Sequence, residues 1–478
     1  MASTKQRILI VGAGVAGQEL LSQLNRKFKS IYSIVGFVDD DPKKANTEIK
    51  SIKVLGSLSD LSRLVRDKKI AEVFIAIPSA EGRTIRKVVE ECQKVKVIFR
   101  IVPRLLEIVQ GKVKLHQVRE VQVEDLLGRP LVQSEQKVFQ KIFKGKKVIV
   151  TGAAGSIGSE LSRQIIQFNP QKLILIDWWE NGLYELEREL ENLSSHEKFV
   201  TILADIKNTE KLTKLFRQTK PDIVFHAAAF KHVPSMQRFP EEAVMNNILG
   251  TYTIAEAAVK TGVGKFIYIS SDKAVDPTSI MGASKLIGEF IIGDLNKKKK
   301  TKFISVRFGN VLASHGSIVP LFKKQIFSGG PVTITDPNMT RFFMTIPEAV
   351  QLVLHASIMG QGGEIFVLEM GEQIKIVDLA TLMIRLAGFV PNEDIKIKYI
   401  GIRPGEKMYE ELISGTESIE KTTNTKIYKI KTSPKKQPSL PRLLNELKKA
   451  AKEGNRERVF SLLKTIAPNL QPLENIII

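Results

Sequence analysis

The sequence predicts an α/β chain built from two doubly wound, parallel-sheet domains. Three observations predict it. A short apolar strand, a glycine-rich loop and a helix-like segment occur in that order twice, near residue 7 and near residue 147. Strand-like and helix-like segments then alternate, as a parallel sheet covered on both faces requires. The 478 residues, 43% of them hydrophobic, suffice for two or three cores of ordinary size. Both halves therefore read as Rossmann-like.

In the first half a strand over 7–11 runs into Gly12-Ala13-Gly14-Val15-Ala16-Gly17 and a helix over 18–28. A strand over 33–38 ends in Asp39-Asp40-Asp41-Pro42. Further strands are expected at 72–77 and 96–101, with a helix over 81–93 between them. This domain spans 1–120. Residues 121–143 read as a linker, with a turn at Leu127-Gly128-Arg129-Pro130. The second domain, 144–430, has strands at 147–150, 172–176, 222–226, 265–270 and 303–307, and its part 308–430 reads as a substrate cap. A basic tail, 431–478, holds helices over 440–453 and 456–465.

No run approaches the roughly 18–20 apolar residues of a membrane span, and the N-terminus is too polar for a signal peptide. A single cysteine, Cys92, excludes an intramolecular disulfide and fits a reducing, cytoplasmic setting. The net charge of +21 is largely diffuse lysine, as in Lys297 to Lys300, without interleaved aromatics. That argues against nucleic acid and for a solvated basic surface, with a membrane surface or a polyanionic partner as the alternative. No Cys/His cluster has zinc spacing, so no catalytic metal is expected.

The second glycine loop is Thr151-Gly152-Ala153-Ala154-Gly155-Ser156-Ile157-Gly158. Glycines here let the backbone approach a pyrophosphate, which the helix start stabilises. About 25 residues on, Asp177 closes the next strand. A carboxylate there accepts bonds from the adenosine ribose and repels a 2′-phosphate, which favours NAD over NADP. The loop spacing resembles that of short-chain dehydrogenases. On that resemblance Ala204-Asp205-Ile206 lies by the adenine, His226-Ala227-Ala228-Ala229 is a small-residue strand end beside the cofactor, and Asn246-Asn247-Ile248-Leu249-Gly250-Thr251 belongs to a helix with a structural asparagine. The first loop is also complete, with Asp39 at its strand end, yet no catalytic set follows it. It is either a nucleotide-sensing site or a domain retained for packing or assembly.

Two segments carry chemistry: Ser271-Asp272-Lys273-Ala274-Val275-Asp276-Pro277-Thr278 and Met281-Gly282-Ala283-Ser284-Lys285. Residues 281 and 285 share a helix face. Short-chain dehydrogenases usually hold tyrosine and lysine there; here Met281 stands in the tyrosine position. Together the segments resemble the UDP-N-acetylglucosamine 4,6-dehydratases of polysaccharide biosynthesis, and most closely their long, methionine-type form. The resemblance covers about residues 7 to 425. It extends to Ala229-Phe230-Lys231-His232-Val233-Pro234, Arg307-Phe308-Gly309-Asn310-Val311, Met339-Thr340-Arg341-Phe342-Phe343-Met344, Met370-Gly371-Glu372 and Arg403-Pro404-Gly405-Glu406-Lys407. Long-form members usually carry membrane helices before the first domain. This chain is either a soluble member or lacks the membrane part of a longer one.

The resemblance implies NAD and a UDP-sugar, with oxidation at C4, loss of water across C5 and C6, and return of the hydride to C6. It makes Lys273 the C5 base and Asp272 the acid at C6, and gives Ser271 a hydrogen bond to the 4-hydroxyl. Lys285 holds the nicotinamide ribose. Met281 cannot take the 4-hydroxyl proton, which leaves Lys285 through water or a relay through Ser271. Desolvation would lower the pKa of Lys273 and raise that of Asp272. Asn310, Arg341 and Arg403 are the expected diphosphate donors. Lys231 and His232 border the sugar, unless His232 is a satisfied loop histidine. Retention at C5 follows from the methionine-type likeness alone. Family members commonly pair through the helix that carries Met281 and Lys285, so a homodimer or higher oligomer is expected. The competing readings are a 4-epimerase and a noncatalytic NAD- or nucleotide-sugar-binding regulator.

Overall fold

The computed structural model describes residues 5–102, 118–127, 136–432 and 439–473. Contacts divide the chain into one unit of Met1–Val132 with Arg385–Gly388 and a second of Gln133–Ile384 with Phe389–Ile478.

In the first unit four parallel strands lie in the order Tyr32–Val38, Gln6–Val11, Glu72–Ile75, Ile98–Ile101. The helices Val15–Lys27, Leu61–Asp67 and Gly82–Lys94 fill the connections. Ile8, Ile10, Leu20, Leu24, Phe37 and Phe74 form a buried core. The strand alternation of the sequence is realised because central parallel strands are buried on both faces and read as unbroken apolar runs. Asp39 accepts from the backbone N–H of Ala13 at 2.7 Å and pairs with Lys44 at 3.1 Å. Burial opposes its charge, but these donors win and hold its carboxyl below the usual range.

The second unit has a nine-stranded sheet. Its order is Glu417–Lys421, Ile427–Thr432, Ile365–Leu368, Lys302–Arg307, Lys265–Ile269, Ile223–His226, Lys147–Thr151, Lys172–Asp177, Phe199–Leu203. The last seven run parallel, and the first two are antiparallel additions at one edge. Strand order reverses between Lys147–Thr151 and Ile223–His226, the switch point where such sheets open a crevice.

Two segments differ from the sequence reading. Part of the expected linker, Gln136–Phe143, is a helix of the second unit. Phe139 and Phe143 are buried and pack on Phe168, with Phe143 also meeting Phe225. Most of the turn expected at 127–130 lies outside the described residues. The tail is also no appendage. Its helices Leu440–Lys452 and Arg456–Lys464 bury Leu443, Leu447, Val459 and Leu463 in the same core as Ile254, Ile287 and Ile291. The helix Ile280–Asn296 is consequently covered within one chain and exposes only Gly293. The pairing route expected through that helix is thus already occupied by the chain itself. Among the described residues no helix is long and apolar enough to cross a membrane.

Candidate active site

A cavity of about 1170 Å³ opens at the switch point of the nine-stranded sheet. One wall is the glycine loop. Gly152 has φ +66°, and a Cβ there would lie 2.6 Å from the Ala228 backbone. A Cβ on Gly158 would sit 2.0 Å from the Gly152 carbonyl oxygen. A side chain at either point would collide with the backbone that shapes the loop. The helix Ser156–Ile166 starts at Gly155 with no side-chain cap, so its first N–H groups face the loop without a side-chain acceptor. Gly155, Ser156, Ile157 and Gly158 line the cavity, as do Ile206, Ala227 and Ala228. This cradle fits the pyrophosphate of a dinucleotide.

Asp177 also lines the cavity and is buried. Its oxygens accept from Ala154 N at 2.9 Å and Trp179 N at 3.0 Å, so it fastens the glycine loop to its own strand end. Ala154 acts through that bond and does not face the cavity. Asp205 does not face it either: its carboxylate accepts from Lys207 N at 2.8 Å. Asn247 behaves as the structural asparagine. Its amide bonds Phe230 O and Ser284 Oγ at 2.9 Å each, and its Oδ1 accepts from Phe230 N at 2.8 Å. It ties the strand-end loop to the helix that bears Lys285. His226 lies buried between Thr151 and Thr251 hydroxyls, at 2.7 and 2.9 Å. Burial, aided by Lys285, pushes it down to about 3, so it stays neutral.

Ser279 caps the helix Ile280–Asn296 by accepting from Gly282 N, which presents Met281 and Lys285 to the cavity. Lys285 donates to Ile269 O at 2.9 Å, and its ammonium lies 5.0 Å from the Tyr268 ring centre. Burial outweighs the nearby Glu289 carboxylate and pulls its pKa down to about 8.

Ser271 starts a short turn, Asp272–Ala274, and donates to Asp272 Oδ1 at 2.8 Å. The Lys273 ammonium meets three acceptors: Asp272 Oδ1 at 3.1 Å, Asn310 Oδ1 at 3.1 Å and Glu410 Oε1 at 3.3 Å. Burial disfavours its charge, but the two carboxylates overcome that and raise its pKa. This reverses the expected lowering, because Asp272 first and then Glu410 favour the charged ammonium. Burial likewise disfavours charge on Glu410, yet Lys273 and Arg341 hold its pKa below the ordinary value. Asp272 goes the other way: full burial dominates and raises it. Lys273 and Glu410 line the cavity, whereas Asp272 is completely buried behind them.

The three expected diphosphate donors, Asn310, Arg341 and Arg403, all line the cavity. Asn310 is held by Lys273. Arg341 donates to Thr340 O and Met408 O at 2.7 and 3.2 Å and lies 3.6 Å from Glu410. Arg403 is exposed at the cavity rim. Lys231 reaches Ser314 at 3.2 Å, and burial lowers its pKa; His232 lines the cavity beside it, lowered first by burial and then by Lys231. Arg307 is structural, buried against Glu289 and Glu417 at 2.7 and 2.9 Å. Sequence reasoning missed Glu410 and also His315, whose backbone N–H donates to Ser156 at 3.0 Å and whose ring packs edge-on to Trp179. Glu410 follows closely on the Arg403–Lys407 motif, but no spacing rule links it to Lys273.

Residues 148–432 match the family model described as "Polysaccharide biosynthesis protein", and residues 1–103 match a "CoA-binding domain". The probable polysaccharide biosynthesis protein EpsC of Bacillus subtilis is 44% identical over 96% of this chain and 77% of its own length. The chain belongs to the polysaccharide biosynthesis protein family. Within that family it is a nucleotide-sugar-modifying enzyme of the extended short-chain dehydrogenase/reductase type. An inverting UDP-N-acetylglucosamine 4,6-dehydratase of Campylobacter jejuni is 36% identical over 58% of this chain and 80% of its own. Relatives named UDP-glucose 4-epimerase match at a similar level. The solved structure of Pen from Bacillus thuringiensis is 36% identical, with TM-score 0.57, over 61% of this chain and 90% of that one.

Proposed function

We propose that this family member dehydrates UDP-N-acetylglucosamine to a UDP-4-keto-6-deoxy-N-acetylhexosamine, with retention at C5, using bound NAD. The observation that carries the reading is the cluster of Asp272, Lys273 and Glu410 beside Lys285 and the glycine cradle. Moving a hydride at C4 calls for no such cluster; removing a proton from C5 and a hydroxyl from C6 does. Gly152, Gly155 to Gly158, Asp177, Ile206, Ala227, Ala228 and Lys285 would hold the dinucleotide, with Ala154 and Asp205 shaping the loops around it. When bound, NAD supplies the hydride acceptor that oxidises C4 and the donor that later reduces C6.

This chain's residues supply the rest. Ser271 is placed to orient the 4-hydroxyl, and Lys285, depressed to about 8, has a deprotonated fraction near neutral pH that can receive that proton through water. Met281 fills the tyrosine position with an apolar group and keeps that wall dry. Arg403, Arg341, Lys231 and His232 border the UDP-sugar. Self-association belongs to this reading, through faces other than the helix Ile280–Asn296, and light scattering measures it.

Incubation with UDP-N-acetylglucosamine in deuterium oxide, followed by NMR and mass spectrometry, tests the proposal. The expected product has lost one water and carries deuterium at C5. A sugar inverted at C4 without water loss would instead establish an epimerase. Tight NAD binding with unchanged substrate would favour a noncatalytic binder.

A further inference from the structure

The geometry points to Glu410 as the base that removes the C5 proton, with Lys273 as the acid that releases the C6 hydroxyl. This rests on the dehydratase reading above. It reassigns the base and acid roles that the likeness to known dehydratases gives to Lys273 and Asp272.

An ammonium has three N–H donors and no lone pair. The Lys273 ammonium donates to Asp272 and Asn310 at 3.1 Å each and lies 3.3 Å from a Glu410 carboxylate oxygen. Such a group holds its proton and can give it away. It cannot take one. Glu410 is the complement. Its Oε1 faces Lys273, while its Oε2 is buried and has no hydrogen-bond partner among the described residues. Glu410 lines the cavity, so its carboxylate, 3% exposed, stands in the substrate wall. Arg341, 3.6 Å away, adds a positive charge that keeps the carboxylate ionised. Asp272 also has an unpartnered oxygen, but it is 0% exposed and does not reach the cavity wall.

The elimination balances on these two residues. Once C4 is a ketone, the Glu410 carboxylate takes the proton from C5. The C5–H electron pair becomes the C5–C6 double bond. The C6–O bond breaks, and the hydroxyl leaves as water with a proton from Lys273. Glu410 is now a carboxylic acid and Lys273 a neutral amine, 3.3 Å apart. One proton transfer across that contact restores both. Asp272, raised by its burial, keeps Lys273 in place without touching the sugar.

The test compares the protein with its Glu410→Gln and Glu410→Asp variants, with NAD bound and UDP-N-acetylglucosamine as substrate. Glutamine keeps the shape and the contact to Lys273 but cannot take a proton. Glu410→Gln is expected to lose product formation by roughly 10²–10⁴-fold, the usual contribution of a general base. It should still oxidise C4 in a single turnover, seen as reduced-nicotinamide absorbance, and should not exchange the C5 hydrogen with deuterium oxide. Glu410→Asp should recover part of the exchange. Product formation by Glu410→Gln within about tenfold of wild type would overturn the assignment, as would C5 exchange at the wild-type rate. Loss of the C4 oxidation burst would also overturn it, since the residue would then be structural. If the wild-type protein releases no water, the dehydratase reading fails and the assignment with it.

Discussion

Lys285 shows what a charged residue in the cavity wall costs the fold. The ordinary lysine pKa is 10.5, and burial lowers it here to about 8. Below pH 8 the group is charged in both folded and unfolded chains, and the folded state carries the full penalty of burying it. Between 8 and 10.5 the folded chain has released the proton and the unfolded chain still holds it, so stability rises with pH. Above 10.5 the penalty is gone. The difference of 2.5 units corresponds to about 3 kcal/mol. Lys285→Met removes this dependence while leaving the Ile269 carbonyl without its donor. Urea unfolding of cofactor-free protein should therefore show the stability of the variant, relative to wild type, falling by about 3 kcal/mol from pH 8 to 10.5. A constant difference across that range would mean that Lys285 is not depressed. Glu410 belongs to the same scale: with Asp272, the larger influence, it raises the Lys273 pKa against the effect of burial.

At the scale of elements, the C-terminal segment acts on the site from a distance in sequence. Gln471 accepts from Gly405 N at 2.8 Å through its side chain and donates from its backbone to Thr278 O at 2.9 Å. Gln237 completes the knot, donating to Gln471 O at 3.3 Å and accepting from Ile280 N at 2.7 Å. The loop that carries Arg403 is thereby fastened to the start of the helix that carries Lys285. Gln471→Ala keeps the backbone bonds and deletes one side-chain acceptor, whose loss is worth about 0.5–1.5 kcal/mol. Steady-state kinetics should show KM for the UDP-sugar rising by roughly 2- to 10-fold with kcat kept. A fall in kcat at unchanged KM would refute this positioning role. The helices Leu440–Lys452 and Arg456–Lys464 supply the support, since their leucines lie in the main core of the unit.

For the whole molecule, the net charge of +21 matters to encounter more than to fold. A UDP-sugar brings a diphosphate toward a basic protein, and salt screens that attraction over about 8 Å at physiological ionic strength. Raising sodium chloride from about 0.05 to 0.5 M should lower kcat/KM for the UDP-sugar several-fold and leave kcat nearly constant. An insensitive kcat/KM would show that the lysine excess is turned away from the cavity. The first unit has the same sheet-and-glycine-loop plan, yet its Asp39 is already bonded to Ala13 and Lys44. Unlike the second unit, it presents no acid–base cluster of the Lys273 kind among its described residues.

Much of this protein was legible in its sequence because the signals are local. Apolar runs, glycines and strand-end carboxylates fix a β-loop-α unit within about 30 residues, so both sheets and the cradle at Gly152 to Gly158 followed from composition and spacing. The pairing of Met281 with Lys285 needed only the helical repeat. What required the tertiary structure was distance in sequence brought to contact. Glu410 meets Lys273 only through the path of the cap. Asp272 is excluded from the cavity by the packing around it, and the Oδ1 of Asn310 accepts from Lys273. The tail became core because its apolar helix faces found Ile254, Ile287 and Ile291, which no local pattern announces. Sequence by itself determined the fold class and the chemical vocabulary of the site. The tertiary structure decided which of those groups face one another and which way burial and charge push their protons, because both act through space and not along the chain.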